Sequence, residues 1–425
     1  MLDKLDSISR IFLYILIFWL PYSPAVIESC VGFLLFFQII KKIAAYFQRN
    51  RLSEKDKAAA PAVLLQSIGL PIILFLLFSF VSAYLSPFQS KSLYGVISKI
   101  LEWFIIYYCV VDIIKTKKQI YIIFGIILLT SLAVALDSIF QIFLWKKDLF
   151  FGQALIEGRA TASFQHPNSL GAYMAVIIPL CIPLFGAMNM SKRLKMFFGF
   201  IMVILSISLA VSLSRGAWFS SFVGVIFGIY LSGAKILKYY LLILVIAFAV
   251  VYNISAGTLI MPRLSETNVA DSALWRFGVW EDTFKMVKSR PLLGHGPNTF
   301  ATVFQEYRRK KEGKHPYNPT SAHNCYLQLL AEGGVVGLAL FCWILINIYR
   351  KSFAHLKLIG KQLSLEDIIF FGLLTGSITF LIHSFIDTNF YSLQLSALIW
   401  VIFGLLIAMV NIQEVNRKIY SIEKQ

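Results

Sequence analysis

The chain is a succession of long apolar runs separated by short polar breaks. The runs fall near residues 9–24, 26–45, 63–85, 97–114, 119–143, 168–188, 195–213, 217–233, 237–255, 324–349, 367–387 and 392–411. Many reach about 18 residues or more, the length a helix needs to cross a hydrocarbon core. In lipid such a segment must satisfy its own backbone hydrogen bonds, so each run is expected as a helix. The pattern predicts an all-α integral membrane protein of about twelve transmembrane helices, forming one polytopic domain over residues 1–425. Pro21 and Pro24 break the first pair of runs, which also fits a shallow hairpin. The first run lacks a small-residue cleavage site and is expected to stay as a signal anchor.

The polar breaks alternate in charge. With the N-terminus inside, the inner breaks hold Lys41, Lys42, Arg49, Arg51, Lys55 and Lys57, then Lys115, Lys117 and Lys118, then Lys192, Arg193 and Lys195. Lys235 and Lys238 follow, then Arg350, Lys351, Lys357 and Lys361, and finally Arg417 and Lys418. Every second break is basic, as the positive-inside rule requires for an even helix count with both termini cytoplasmic.

Two outer segments are longer. One runs from Trp145 to Asn168; the other is a large external loop over 255–323, between spans nine and ten. A loop of about seventy residues is uncommon without a functional reason. Within it Asp271–Arg290 predicts an amphipathic helix, with Leu274, Phe277, Trp280 and Phe284 at three- and four-residue steps. Pro291 ends it, the turn Gly294-His295-Gly296-Pro297 follows, and then a basic run, Arg308-Arg309-Lys310-Lys311 with Lys314.

Composition agrees with the class. Apolar residues make up 58% of the chain and charged ones 14%, against about a quarter in soluble domains; mean hydropathy is +0.73. The net charge of +17 follows from the basic inner breaks, and no basic stripe with interleaved aromatics points to nucleic acid. Cys30, Cys109, Cys181, Cys325 and Cys342 form no CxxC pair and read as small core residues. No glycine-rich nucleotide motif and no internal repeat is visible.

The candidate chemistry gathers at the outer ends of the spans. His323 joins the loop to the tenth span; with Ser321 as N-cap it would sit in the first helical turn, as a general base or as an interfacial anchor. Arg215, in the short turn Ser212-Leu213-Ser214-Arg215-Gly216-Ala217-Trp218, either binds an anion or snorkels to headgroups. Arg276 shares a helical face with Trp280, four residues on. Arg159 lies in Gly158-Arg159-Ala160-Thr161-Ala162-Ser163-Phe164-Gln165-His166-Pro167-Asn168 as a further phosphate ligand, with Asn168 as a helix cap. Glu332 is an ionisable group inside a span, and His383 and Asp387 stand four residues apart on one face as a structural or catalytic pair. Guanidinium groups bind phosphate oxygens bidentately, which suggests an anionic lipid-linked substrate. The outer acids are scattered, so no metal site and no cofactor is expected.

These pieces together resemble the O-antigen ligase and Wzy-type O-antigen polymerase superfamily of bacterial envelope glycosyltransferases. The matching segments are Gly158-Arg159-Ala160-Thr161 with His166-Pro167-Asn168, Ser214-Arg215-Gly216-Ala217-Trp218, the Arg276 to Trp280 helix, Pro291-Leu292-Leu293-Gly294-His295-Gly296, and His323-Asn324 with Glu332-Gly333-Gly334. The first hundred or so residues match in hydropathy alone. The resemblance implies a fold related to the integral-membrane glycosyltransferases of the C class, acting on the periplasmic side of the inner membrane. It implies a glycan donor on undecaprenyl diphosphate and an acceptor on lipid A-core or another glycan. It also implies metal-independent chemistry with His323 as base and Arg215 and Arg276 on the diphosphate. His166 stands where relatives often carry another residue, and no role is assigned to it. Three alternatives remain open: a polymerase, a protein oligosaccharyltransferase, and, without chemistry, a flippase or exporter of lipid-linked sugars. A transporter should show polar or broken helices near the bilayer midplane; the polar residues here gather at the outer ends of the spans.

Overall fold

The computed structural model describes residues 2–49, 69–186, 191–233, 237–254, 266–309, 319–360 and 362–423. Arg51, Lys55, Lys57, Lys235, Lys361, Lys310, Lys311 and Lys314 lie outside these. The helices are α1 (Leu2–Trp19), α2 (Pro24–Arg49), α3 (Gly69–Tyr84), α4 (Gln89–Gly95), α5 (Leu101–Ile113), α6 (Lys117–Phe140), α7 (Pro167–Gly186) and α8 (Lys192–Val211). There follow α9 (Arg215–Ser232), α10 (Leu237–Ile254), α11 (Glu266–Ser289), α12 (Phe300–Tyr307), α13 (Cys325–Leu356), α14 (Leu365–His383) and α15 (Leu393–Glu423). Among the described residues the extended pairing consists of two isolated bridges, Lys147 with Ala154 and Ile156 with Arg159.

Among the described residues seven helices are long and apolar enough to cross a membrane: α2, α6 with its π-helical continuation to Trp145, α7, α8, α13, α14 and α15. The other predicted runs are also helical, but shorter or more polar; α1 carries Asp3, Lys4, Asp6 and Arg10, and α3 is 16 residues long. Around Pro21 the chain makes a tight turn, with the amides of Tyr22 and Ser23 on the Trp19 carbonyl, and α2 returns along α1.

Helices α7 and α15 form the centre of the body, each 89% buried over its apolar window. Helix α7 packs against α8, α9 and α14. Gly224, Gly228, Gly372 and Gly376 occupy these contacts, as expected where lipid supplies no hydrophobic drive and close approach of backbones must supply the packing. Trp400 of α15 sits among Trp103, Phe104, Tyr107 and Phe403, joining α5 to the centre.

The two faces differ in chemistry. On one, Lys41 pairs with Asp6 and Asp112, and Lys117 with Glu366. The start of α6, the start of α14 and the ends of α13 and α15 meet around Lys117, His355, Glu366 and Asn416. Elsewhere the start of α2, the starts of α7 and α9, and the segment after α14 lie beside residues of α11 and the turn before α13.

That region has its own small core of Val279, Met286, Val287, Phe300, Val303, Phe304, Ala322 and Ala331. Helix α11 is present where predicted, but its packed face is not the predicted stripe. Leu274, Phe277 and Phe284 are 67%, 55% and 51% exposed, while Val279, Thr283 and Met286 are buried. Asp282 on the packed side is held by Arg309 at 3.0 Å and Lys285 at 2.7 Å. Burial pushes its carboxyl up, but these bonds outweigh burial and hold it below the usual carboxylate range. Arg309 therefore clamps the segment after α12 to α11, a structural use of part of the basic run.

The turn after α11 docks into a break in α13. Gly334 takes φ 63° and ψ −172° inside that helix, a conformation open essentially to glycine alone. The interruption frees backbone groups: the Val335 amide meets the Pro291 carbonyl at 2.8 Å, and the Glu332 carbonyl accepts from the Gly296 amide at 2.8 Å. A β-carbon on Gly334 would stand 2.2 Å from the Leu292 oxygen, and one on Gly294 2.3 Å from the Glu332 oxygen. Two short motifs read separately in the sequence are thus one interlocked backbone joint.

Candidate active site

Three helix N-termini converge on one region. Helix α7 begins at Pro167, α9 at Arg215 and α13 at Cys325. Each brings the positive end of its dipole to this region, which favours anions, although the first amides of α13 are already taken by Asn324 and the Ser384 carbonyl, and those of Ser169 and Leu170 by the His166 carbonyl. The turns feeding α9 and α13 each hold a non-glycine residue in the left-handed region, Leu213 at φ 49° and His323 at φ 47°; such strain concentrates where position matters for function.

Arg159, Arg215 and Arg276 line one cleft of about 110 Å³, together with Asn168, Leu213, Ser214 and Gly216. They come from the turn before α7, the first residue of α9, and α11. The sequence spreads them from residue 159 to residue 276, and the fold gathers them. Ser214 is the N-cap of α9 but makes no side-chain capping bond, so the start of that helix faces the cleft beside the guanidinium of Arg215.

A second, polar cleft of about 690 Å³ adjoins the first. Arg159 and Asn168 line both. His323, Asp387, Glu28, Glu157, Gln165 and His166 also line the second.

The shared wall is a continuous hydrogen-bonded chain. Arg159 is 8% exposed, and its Nε donates to the Ser212 carbonyl at 2.8 Å. Its Nη2 donates to Asn168 Oδ1 at 2.6 Å. Asn168 Nδ2 donates to Asp387 Oδ2 at 3.3 Å, and the other Asp387 oxygen lies 3.3 Å from His323 Nδ1. Asn168, expected as a cap, is therefore a bridge: it lies one residue inside α7 and spends both ends of its amide on the chain. Burial pushes the Asp387 carboxyl up, but the bond and charge of His323, the charge of His383 and the Thr388 amide hold it well below the ordinary range.

The His323 loop is fixed from three sides. The N-cap of α13 is Asn324 rather than Ser321: Asn324 Oδ1 accepts from the amides of Tyr326 and Leu327 at 3.0 Å each. His323 thus lies before the cap, outside the helix. The ring of Trp275 meets the His323 ring edge-on at 5.1 Å. Trp280 donates its indole N–H to the Ala322 carbonyl at 3.0 Å. Trp280, expected as a wall beside Arg276, instead tethers the loop that presents the histidine.

Two predicted residues stand apart. Glu332 is 3% exposed and accepts from the Phe300 amide at 3.0 Å, capping α12 from within α13. His383 is 1% exposed, with Nδ1 2.8 Å from the Asn389 amide nitrogen. Its side chain and that of Asp387 make their hydrogen bonds to different partners, Asn389 and His323, while the charge of His383 still acts on Asp387. Trp275 escaped sequence reading, since nothing in the helical pattern separates it from its neighbours.

Residues 200–342 match the family model described as O-antigen ligase. No curated protein matches the chain. The matched segment runs from α8 into α13 and contains Arg215, Arg276, Trp280, His323, Asn324 and Glu332, while Arg159, Asn168 and Asp387 lie outside it. Over the helices that bear two of its clustered arginines and its loop histidine, the chain is therefore similar to the O-antigen ligase family model.

Proposed function

We propose that the protein is an O-antigen ligase-type glycosyltransferase of the bacterial inner membrane. It moves a glycan from undecaprenyl diphosphate to a hydroxyl of a lipid A-core sugar, on the periplasmic side. The observation that carries the reading is the joining of the two clefts: three guanidinium groups line one, the histidine lines the other, and Arg159 with Asn168 forms the wall between.

The arginine cleft receives the diphosphate. Planar guanidinium groups and the start of α9 neutralise the charge that grows on the leaving group. His323 faces the acceptor. Asp387 accepts from Nδ1–H and leaves Nε2 with the lone pair, the tautomer a base requires. Nε2 takes the proton of the acceptor hydroxyl as its oxygen attacks the anomeric carbon. The carbon–oxygen bond to the diphosphate breaks, and the diphosphate leaves with that electron pair. Attack and departure on opposite faces invert the anomeric centre. No metal enters this scheme.

The test is transfer by the purified chain from a lipid-diphosphate donor to lipid A-core. His323→Ala should abolish transfer while the protein keeps its unfolding midpoint; full turnover in that variant would sink the base assignment. Transfer to a second lipid-linked repeat unit instead of lipid A-core would identify a polymerase acting through the same residues.

A further inference from the structure

A third cavity lies away from both clefts. It opens between α2, α3 and α5 with a volume of about 460 Å³, walled by Leu35, Ile39, Ile73, Leu76, Phe104 and Ile105. Pro24 at the start of α2 lines the polar cleft, and Gln38 further along that helix lines this cavity. At 1.5 Å per residue the two positions stand about 20 Å apart along the helix, so the cavity belongs to the opposite half of the body.

Its walls are apolar but one end is basic. Lys42 lies 5.6 Å from the centre of the Tyr108 ring. Lys41 is taken up by Asp6 and Asp112 at 2.6 Å each, whereas Lys42, 44% exposed, stands 3.8 Å from Asp112. Two further groups on the wall are unmatched. Gln38 is 3% exposed, and among the described residues neither its amide nitrogen nor its oxygen has a hydrogen-bond partner. The Tyr108 hydroxyl has none there either. Buried polar groups are rarely left so, and these require partners that the described residues do not supply.

We propose that this cavity binds one acyl chain of an anionic glycerophospholipid, with the phosphate at Lys42 and the glycerol ester region beside Gln38 and Tyr108. Basic pockets between membrane helices take anionic head groups. Ester carbonyls accept from an amide N–H and a phenol O–H, and a head-group hydroxyl donates to the amide oxygen. A polyprenyl chain has no ester carbonyl and would leave Gln38 and Tyr108 unmatched. A zwitterionic lipid answers its own phosphate with its amine. The site does not depend on the transfer chemistry, since none of these residues lines either cleft.

The experiment is native mass spectrometry of the full chain in detergent, titrated in parallel with phosphatidylglycerol, phosphatidylcholine of the same acyl chains, and a polyprenyl phosphate. The unmodified chain should retain one phosphatidylglycerol about fivefold more tightly than phosphatidylcholine, the worth of one lysine near a membrane surface. Lys42→Gln, at a half-exposed position, should bring the two lipids level. Leu76→Trp, which fills the cavity, should weaken retention of both; where that variant unfolds, the Lys42→Gln result alone decides. Equal retention of the two phospholipids by the unmodified chain, or undiminished selectivity in Lys42→Gln, overturns the proposal. Preferential retention of the polyprenyl phosphate also overturns it and assigns the cavity to a donor lipid.

Discussion

His323 Nδ1 and Asp387 Oδ1 stand 3.3 Å apart across 64 residues of sequence, and the carboxylate is also the last link of a chain from Arg159 through Asn168. The pairing ties the group proposed to move a proton to a wall of the arginine cleft. A disturbance of either end should therefore be felt at the other.

Asp387→Asn should lower the turnover of glycan transfer by about 10²-fold or more, because an amide can hold His323 in the wrong tautomer. The same variant tests linkage. The Asp387 carboxyl is held below its unfolded value, so it stabilises the fold above the unfolded pKa of about 3.9, and that stability is lost as pH falls through the folded value. Unfolding midpoints from neutral pH down should show the unmodified chain losing its advantage over Asp387→Asn below about pH 4. Parallel curves would contradict the assignment.

Arg215→Lys keeps a positive charge but loses the planar fork. If the arginine cleft holds a diphosphate, kcat/KM should fall by roughly 10- to 100-fold, the worth of one charge-assisted hydrogen bond. Arg276→Lys should act in the same direction. Steady-state kinetics with a lipid-diphosphate donor decides the matter, and near-unmodified values in both variants would remove the diphosphate from this cleft.

Asn168→Ala cuts the bridge between Arg159 and Asp387 without touching either charge. The expected effect is a loss of about tenfold or more in turnover, since each bond it makes has an ionised partner. Asn168→Gln should not rescue it, because the longer side chain displaces both ends. An Ala variant with normal turnover would make the chain a packing feature only.

Gly334→Ala places a β-carbon 2.2 Å from the Leu292 oxygen at a φ of 63°. Backbone strain alone costs about 1–3 kcal/mol at such a position, and the contact adds to it. The thermal midpoint should drop, and limited proteolysis should cut near residues 290–300 once the turn leaves its seat. Transfer should fall although no residue of the clefts is altered.

Trp280→Phe keeps an aromatic side chain, with a smaller ring, but removes the donor to the Ala322 carbonyl. A loss of about 1 kcal/mol is expected, the worth of a neutral hydrogen bond. Turnover should drop about fivefold if the tether positions His323, with little change in Arg276-dependent donor binding.

Much of this molecule is legible in its sequence, for a physical reason. Crossing lipid demands apolar length, and that demand is written locally, so the helices fall on the predicted runs. The alternation of basic breaks is local as well, which is why it can be read from the sequence. Arg159, Arg215 and His323 stood out as charged or titratable groups where polar turns meet spans, and Arg276 by its helical spacing from Trp280. The face that α11 turns inward was not legible. Leu274, Phe277 and Phe284 have the right spacing, but Val279 and Met286 lie on the other side of the same helix. Which side is covered depends on what α12 and α13 offer, and no pattern within α11 records that.

The sequence by itself determined a helical membrane body, a long segment before His323, and the residue types for binding an anion and moving a proton. Only the tertiary structure decided how they act together. It made Asn168 a bridge rather than a cap, gave Asp387 to His323 rather than His383, and turned Glu332 and Trp280 into supports. Each of these depends on a contact spanning tens to hundreds of residues, as between Asn168 and Asp387, 219 positions apart. Hydropathy and helical period act over a few turns, whereas a side chain's partner is chosen by packing.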